Sequence, residues 1–247
     1  MDDREYEKMA AVEDAMWWYG GLRANLAALA ELGDPRGSAG GALLDAGCGT
    51  GGTLRHLRAA VPGMTLVGMD YDRRACALAR QKSGCPIAAG SIDALPFPDH
   101  VFDVILSADV LCHRAVDQER ALAELHRCLK PGGRLVLNLP AYDWLKSSHD
   151  ARVHTARRYT SRRVSRLLGR HGFGEVRATY WNMLLFPLMV LRRKLLRPVD
   201  GDSDVMLYPA PIERLFRTLL RAETAVLSAG WGLPFGGSVL VKAVKHG

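Results

Sequence analysis

Residues 43–51, Leu43-Leu44-Asp45-Ala46-Gly47-Cys48-Gly49-Thr50-Gly51, decide how the rest of the chain is read. The run from Ala42 to Ala46 is short, apolar and continuous, as a parallel strand buried on both faces should be. It delivers Asp45 and then a glycine-rich turn, after which residues 52–60 take up helical spacing. Glycine suits such a turn because positive φ costs it little and a ligand can approach its backbone closely. In an open α/β sheet, ligands bind beyond the carboxyl ends of the strands, near the point where strand order reverses. A second acid, Asp70, closes the next apolar run, where a carboxylate can accept both ribose hydroxyls of an adenosine. Residues 47–52 also satisfy G-x-G-x-x-G, so the glycines and Asp70 by themselves leave several adenosine cofactors open, a nicotinamide dinucleotide among them.

Working outward, short apolar runs at 42–46, 65–69, 86–89, 102–107 and 134–139 read as buried strands. Helical stretches at 52–60, 73–81 and 117–129 lie between them, and the last ends at the stop signal Lys130-Pro131-Gly132-Gly133. This alternation implies a sheet wound with right-handed crossovers. Upstream, residues 4–32 read as one helix carrying Trp17, Trp18, Leu22, Leu26 and Leu29, and 33–38 as a linker. Downstream, 161–171 reads as a helix, 174–181 as a strand, 183–233 as two apolar and basic cap helices, and 237–244 as a final strand. The expected organisation is a single domain. It comprises an N-terminal helix and linker (1–38), a cofactor-binding core (40–140), acceptor-side and cap elements (141–236) and the final strand (237–247).

A chain of 247 residues can bury one large core. Its charged start, Met1-Asp2-Asp3-Arg4-Glu5, is not followed by an apolar run, which argues against a secretory signal. The five cysteines are odd in number and form no C-x-x-C pair. Neither a disulfide framework nor a zinc site is indicated, and a reducing cytoplasm is expected. Residues 183–191 are too few to span a bilayer and include Pro187. The net charge of +7 is localised, since the stretch from Lys146 to Val199 is rich in Lys and Arg against only Asp150 and Glu175. Such a block suits an anionic substrate, a nucleic acid or an anionic membrane surface, while solvated helix faces are the simpler explanation.

Residues 43–51 closely resemble the first motif of class I S-adenosylmethionine-dependent methyltransferases. Residues 90–105, Gly-Ser-Ile-Asp-Ala-Leu-Pro-Phe-Pro-Asp-His-Val-Phe-Asp-Val-Ile, resemble that family's adenine-side loop running into its fourth strand. Residues 129–135, Leu-Lys-Pro-Gly-Gly-Arg-Leu, are similar to its turn before strand five. Three motifs in this order select the family over the nicotinamide alternative. The resemblance implies an α/β, Rossmann-like, seven-stranded and mostly parallel sheet with an antiparallel last strand. An N-terminal helix and a helical cap inserted between the last two strands complete it. The implied cofactor is S-adenosyl-L-methionine. Asp45 would orient the loop and lie near the methionine amino group, while Gly47, Cys48, Gly49 and Gly51 would line the cofactor. Asp70 would hold the ribose and Tyr71 would cover the adenine. Ser91 stands where many relatives carry aspartate toward the adenine amino group, with Ile92 beside it, so Ser91, Asp93 or a backbone group is left to make that contact. Ser107 and Asp109, just beyond strand four, would sit near the methionine portion and the transferable methyl.

Methyl transfer from a sulfonium is an in-line displacement in which the cofactor carries the activated group. The protein aligns the acceptor and, for a protonated acceptor, supplies a base, a task suited to histidine. Residues 148–159, Ser-His-Asp-Ala-Arg-Val-His-Thr-Ala-Arg-Arg-Tyr, follow strand five, and their HD…H…RRYT pattern is similar to one in bacterial small-molecule methyltransferases. His154 is therefore the first catalytic candidate, His149 the second and His113, after strand four, the third, with packing the simpler role for His113. In the structural alternative Asp150 caps a turn while Arg157 and Arg158 pair with surface acids. No metal is expected, because the two histidines five apart lack a third ligand. Trp17-Trp18-Tyr19 suits core packing, or a lid in which Tyr6, Trp18 or Tyr19 touches the cofactor or acceptor. The apolar stretch from Trp181, with Arg192, Arg193, Lys194 and Arg197 at its end, reads first as cap packing. A hydrophobic acceptor pocket and an interfacial helix on anionic lipid are its alternatives. The expected function is methylation of a small molecule, apolar or aromatic, in a biosynthetic pathway. Nucleic-acid methylation is the weaker reading, since no Asn/Asp-Pro-Pro-Tyr motif or RNA-binding module is present. A non-catalytic cofactor-binding or lipid-associated protein is the third. Oligomeric state is not indicated.

Overall fold

The structure, a computed structural model, describes residues 3–32, 40–194 and 206–246. The 33–38 linker and Arg197 lie outside them. Two helices, α1 (Asp3–Val12) and α2 (Trp17–Leu29), precede the alternating core of β1 (Ala42–Ala46), α3 (Gly52–Ala60), β2 (Thr65–Asp70), α4 (Arg73–Ser83), β3 (Ile87–Ala89), β4 (Phe102–Ala108), α5 (Gln118–Cys128) and β5 (Leu129–Pro140). A 3-10 turn (Asp143–Leu145), α6 (Ser148–Arg152), α7 (Ser161–Arg170), β6 (Phe173–Trp181), α8 (Phe186–Lys194), α9 (Ala210–Ser228) and β7 (Ser238–Lys245) follow.

The strands form one seven-stranded sheet in the order β3-β2-β1-β4-β5-β7-β6. β1 pairs in parallel with β2 and β4, β2 with β3, and β4 with β5, whereas β7 runs antiparallel to both β5 and β6. The strand order reverses between β1 and β4, which puts the switch point directly beyond Ala46. Helices cover both faces. Leu122, Leu125, Val164 and Leu168 of α5 and α7 pack on one, and Leu22, Leu26, Leu54, Leu57 and Leu220 of α2, α3 and α9 on the other. Burying each such leucine contributes on the order of 2 kcal/mol.

Local chemistry sets the ends of these helices. Asp72 caps α4 by accepting the Arg74 N–H at 2.7 Å, Asp117 caps α5 through the Glu119 and Arg120 N–H groups, and Thr160 caps α7 through that of Arg163. Two elements differ from the sequence reading. The expected single helix over 4–32 is broken at residues 13–16, because the Glu13 side chain turns inward to Thr50 and Lys82 and Met16 is extended at φ −71°, ψ 131°. The stop signal at 130–133 lies inside β5 as an irregularity rather than before it. Phe102 pairs with Leu129 and Val104 with Arg134, so four residues oppose one, with Gly132 at φ +74°.

Candidate cofactor and acceptor site

The glycine loop hooks over the end of β2. The N–H groups of Gly47 and Cys48 both donate to the Met69 carbonyl, at 2.8 and 2.9 Å. Gly49 N–H donates to Asp70 Oδ2 at 2.8 Å, and Asp72 N–H to Asp70 Oδ1 at 3.0 Å. Asp70 thus fixes the loop while keeping further lone pairs, so it can still accept from a ligand. Burial raises its carboxyl above the usual range, and the Asp72 and Gly49 N–H groups pull it part of the way back. Gly51 starts α3 at φ +85°, and a Cβ there would stand 2.7 Å from the Ala79 backbone. Only glycine fits both demands.

Asp45 is buried at the end of β1, and no group among the described residues donates a hydrogen bond to its carboxyl. Burial pushes that carboxyl up from 3.8 to about 7, and the nearby negative charges of Asp70 and Glu13 add to the effect. An unpaired buried acid of this kind is complementary to a cation.

α1 covers the loop. Glu13 accepts from Thr50 Oγ1 and from Lys82 Nζ, both at 2.5 Å. The Met9 methyl lies 3.0 Å from where a Cβ on Gly49 would stand. Burial, followed by the charges of Asp70 and Asp72, raises the Tyr6 hydroxyl, which places Tyr6 on the acidic side of the loop. Of the three aromatic lid candidates, Tyr6 is therefore at the loop, whereas Trp18 packs against Tyr19 and Trp181, at 5.1 and 5.6 Å between rings.

The other cofactor candidates surround this centre. Cys48 is buried beneath the loop, and Tyr71 is 83% exposed beside Asp70. The Ser91 hydroxyl is bonded to Asp93, while Ile92 is buried beside it. Ser107 is buried with its hydroxyl on the Ala46 carbonyl at 2.8 Å, tying β4 to β1.

Just past β4, Asp109 has φ +56°, and its N–H donates to the Asn138 carbonyl at 2.8 Å. Asn138 Nδ2 donates to Asp109 Oδ2 at 2.9 Å, and Trp181 Nε1 donates to Asn138 Oδ1 at 2.7 Å. Burial pushes the Asp109 carboxyl up to about 7 against the opposing pull of Asn138 and Arg158. A half-buried acid in the left-handed backbone region is a locally strained arrangement of the sort found at functional sites.

Of the histidine candidates, His113 is half-buried, and burial lowers its pKa. A bridge between His113 and Thr155, with Arg114 N–H on the His154 carbonyl at 2.9 Å, brings the loops after β4 and β5 together. His154 is exposed at φ +56°. His149 lies in α6, and its side chain is outside the described residues.

The rest of the HD…RRYT pattern is scaffold. Arg158 Nε and Nη2 donate to the two Asp150 oxygens at 2.9 and 3.0 Å, both side chains are buried, and Arg158 Nη1 reaches the Ala141 carbonyl at 2.8 Å. Arg157 donates to the carbonyls of Leu111, His113 and Val116. The Tyr159 hydroxyl donates to Gln118 Oε1 at 2.7 Å. Arg157 thus ties the loop after β5 to the loop after β4, and Arg158 meets a buried acid of its own segment instead of a surface acid. Among the described residues, no group of three or more His, Cys, Asp or Glu is placed to hold a metal ion.

Comparison with known proteins agrees with this geometry. The family profile described as "Methyltransferase domain" matches residues 44–137. Residues 44–137 thus resemble a methyltransferase domain in sequence. Over 111 residues it is 36% identical to 24-methylenesterol C-methyltransferase 2 of Arabidopsis thaliana, covering 42% of this chain and 29% of that protein. Over 110 residues it is 38% identical to the ubiquinone/menaquinone biosynthesis C-methyltransferase UbiE of Geobacter sulfurreducens, covering 41% and 43%. Over 100 residues it is 41% identical to demethylmenaquinone methyltransferase of Thermus thermophilus, covering 38% and 45%. The chain thus spans less than half the length of these curated relatives. Among solved structures, the chain complexed with the Haloferax volcanii Trm112 methyltransferase activator superposes with a TM-score of 0.64 at 21% identity, covering 99% of this chain and 96% of that one. Phosphoethanolamine N-methyltransferase 2 of Haemonchus contortus, in complex with S-adenosyl-L-methionine, gives 0.60 at 17% identity, covering 90% and 52%.

S-adenosyl-L-methionine is the cofactor of such a methyltransferase domain, and the site's donor set fits it. The unpaired acid at Asp45 suits the methionine ammonium, and the glycine backbone admits close approach. Asp70 keeps acceptor capacity for ribose hydroxyls.

Proposed function

We propose that this protein transfers a methyl group from S-adenosyl-L-methionine to a small, apolar or aromatic acceptor in a biosynthetic pathway. The observation that carries the reading is the buried, unpaired Asp45 carboxyl beside the Asp70-anchored glycine loop at the switch point of the sheet. The cofactor supplies an electrophilic methyl on a sulfonium. Asp45 binds the amino group, Gly47, Cys48, Gly49 and Gly51 line the approach, Asp70 takes the ribose, and Tyr71, Ser91 and Ile92 border the adenine. Tyr6 and Met9 of α1 exclude water from above.

On the acceptor side, Asn138 holds one oxygen of Asp109, and no donor among the described residues occupies the other. A carboxyl with a pKa near 7 is matched to taking a proton from a weakly acidic acceptor at neutral pH. His113, kept neutral by burial, and His154 on the adjoining loop are further polar groups for orienting the acceptor. The sterol and quinone names of the sequence relatives support an apolar ring acceptor.

The test is transfer of labelled methyl from the cofactor to a panel of phenols, quinols and sterols, with transfer RNA and DNA as controls. Incorporation into one or more ring acceptors is expected. Labelling of nucleic acid alone would overturn the acceptor class, and tight cofactor binding without any transfer would overturn the catalytic reading.

A further inference from the structure

The nine residues of α8, Phe-Pro-Leu-Met-Val-Leu-Arg-Arg-Lys, include no buried residue, contrary to the cap packing that the sequence favours. Its attachment to the body is one-sided. Phe186 contacts the rings of Tyr142, Trp144 and Phe235 at 5.9, 6.1 and 5.6 Å. Met189 lies against Gly237, its methyl 3.0 Å from where a Cβ would stand there, and Arg193 Nη1 donates to the Leu145 carbonyl at 3.2 Å. These positions, spaced by three and four, form the inward face.

The outward face carries Leu188 and Leu191, and Leu184 stands in the turn just before the helix, with 50, 44 and 46% of their surfaces exposed. Trp144 flanks the stripe and is 50% exposed, with Lys194 Nζ 6.0 Å from its ring centroid. The last turn is Arg192-Arg193-Lys194, and α8 contains no acid. The contact of Phe186 with Tyr142 places the helix just beyond the carboxyl end of β5, on the same side of the sheet as Asp109 and the joined histidine loops.

We propose that α8, with Trp144, is a docking surface for an anionic lipid bilayer. Exposed leucines, an exposed tryptophan and a cationic last turn are the complement of such a surface, with apolar side chains entering the acyl boundary and Lys194 meeting the headgroups. Docking through α8 turns the acceptor side of the sheet toward the membrane, so an apolar acceptor can pass from lipid to site. This last step rests on the methyltransferase reading, whereas docking itself does not.

The test is flotation of the full chain with vesicles of phosphatidylcholine alone and of phosphatidylcholine mixed with phosphatidylglycerol, at low and high salt. Flotation only with the anionic vesicles, weakening as salt rises, is expected. The Leu188→Gln/Leu191→Gln variant and, separately, Lys194→Glu should each reduce vesicle binding by about tenfold or more. Both are solvent-facing substitutions, so unchanged thermal unfolding and unchanged affinity for S-adenosylhomocysteine are expected beside the lost flotation. Failure of the wild type to float at low salt, or equal flotation of the variants, would overturn the proposal. A concentration-dependent dimer abolished by Leu188→Gln/Leu191→Gln would overturn it in favour of self-association.

Discussion

Replacing Asp45 by asparagine separates a buried acid awaiting a cation from one that merely packs. In the free protein, burial and the charges of Asp70 and Glu13 hold this carboxyl at about 7 instead of 3.8. That difference corresponds to roughly 4 kcal/mol, an upper limit on what a neighbouring cation can recover by returning the acid to its ordinary ionisation. At pH 6 about nine-tenths of the free protein carries the proton, and at pH 8 about one-tenth does. Binding of S-adenosylhomocysteine, which brings the methionine ammonium to Asp45, should therefore release close to one proton at pH 6 and almost none at pH 8. The assay is titration calorimetry at pH 6 in 2-morpholinoethanesulfonate and in imidazole, whose ionisation enthalpies differ. A buffer-dependent enthalpy is expected for the wild type and for Asp109→Asn, and its loss is expected in Asp45→Asn together with weaker binding. Stability provides a second readout. Because the folded pKa is raised, the contribution of Asp45 to stability is complete below about pH 4 and is lost as pH rises through 7. Asp45→Asn should accordingly raise the melting temperature at pH 8 and leave it nearly unchanged near pH 4. An enthalpy independent of buffer, combined with full affinity in Asp45→Asn, would refute the assignment.

Other expectations follow from the same geometry. Asp70→Asn should lower affinity for the cofactor by tenfold or more, with only a modest loss in chemical denaturation, since the amide oxygen can still accept from Gly49; equal affinity would remove Asp70 from the ribose role. Asp150→Ala leaves Arg158 buried without its anionic partner and should cost about 3–5 kcal/mol in urea unfolding, whereas a loss below about 1 kcal/mol would show that the pair is dispensable. Asp109→Asn should lower turnover while leaving cofactor affinity intact and should abolish any rise in kcat around pH 7; an unchanged pH–rate profile would exclude Asp109 as the base.

The features legible in the sequence were those fixed by local chemistry. The glycine loop, Asp70 at the end of β2 and the helical stretches that follow them each depend on neighbours only a few residues away. The order of the three motifs then supplied the winding of the sheet. Features that depend on distant partners were not legible. The break between α1 and α2 follows from Glu13 reaching Thr50 and Lys82, and nothing in residues 4–32 signals that reach. Asp150 and Arg158 are eight residues apart, a spacing that no regular element brings together, so their pairing emerges only when the segment after β5 folds back on itself. The leucine spacing of α8 marks one helical face but not whether that face meets protein or solvent. Asp109 was placed by its position after β4, whereas its raised pKa depends on burial beside Asn138 and could not be read from the Ala-Asp-Val triplet.

The central claim is that the loop at 43–51 and the acids at 45 and 70 bind S-adenosyl-L-methionine. A crystal structure of the protein with S-adenosylhomocysteine tests it most directly. The ligand's amino group is expected within hydrogen-bond distance of Asp45, its ribose hydroxyls on Asp70, and its sulfur toward Asp109. A ligand bound elsewhere, or an ammonium and ribose that leave Asp45 and Asp70 untouched, would contradict the account.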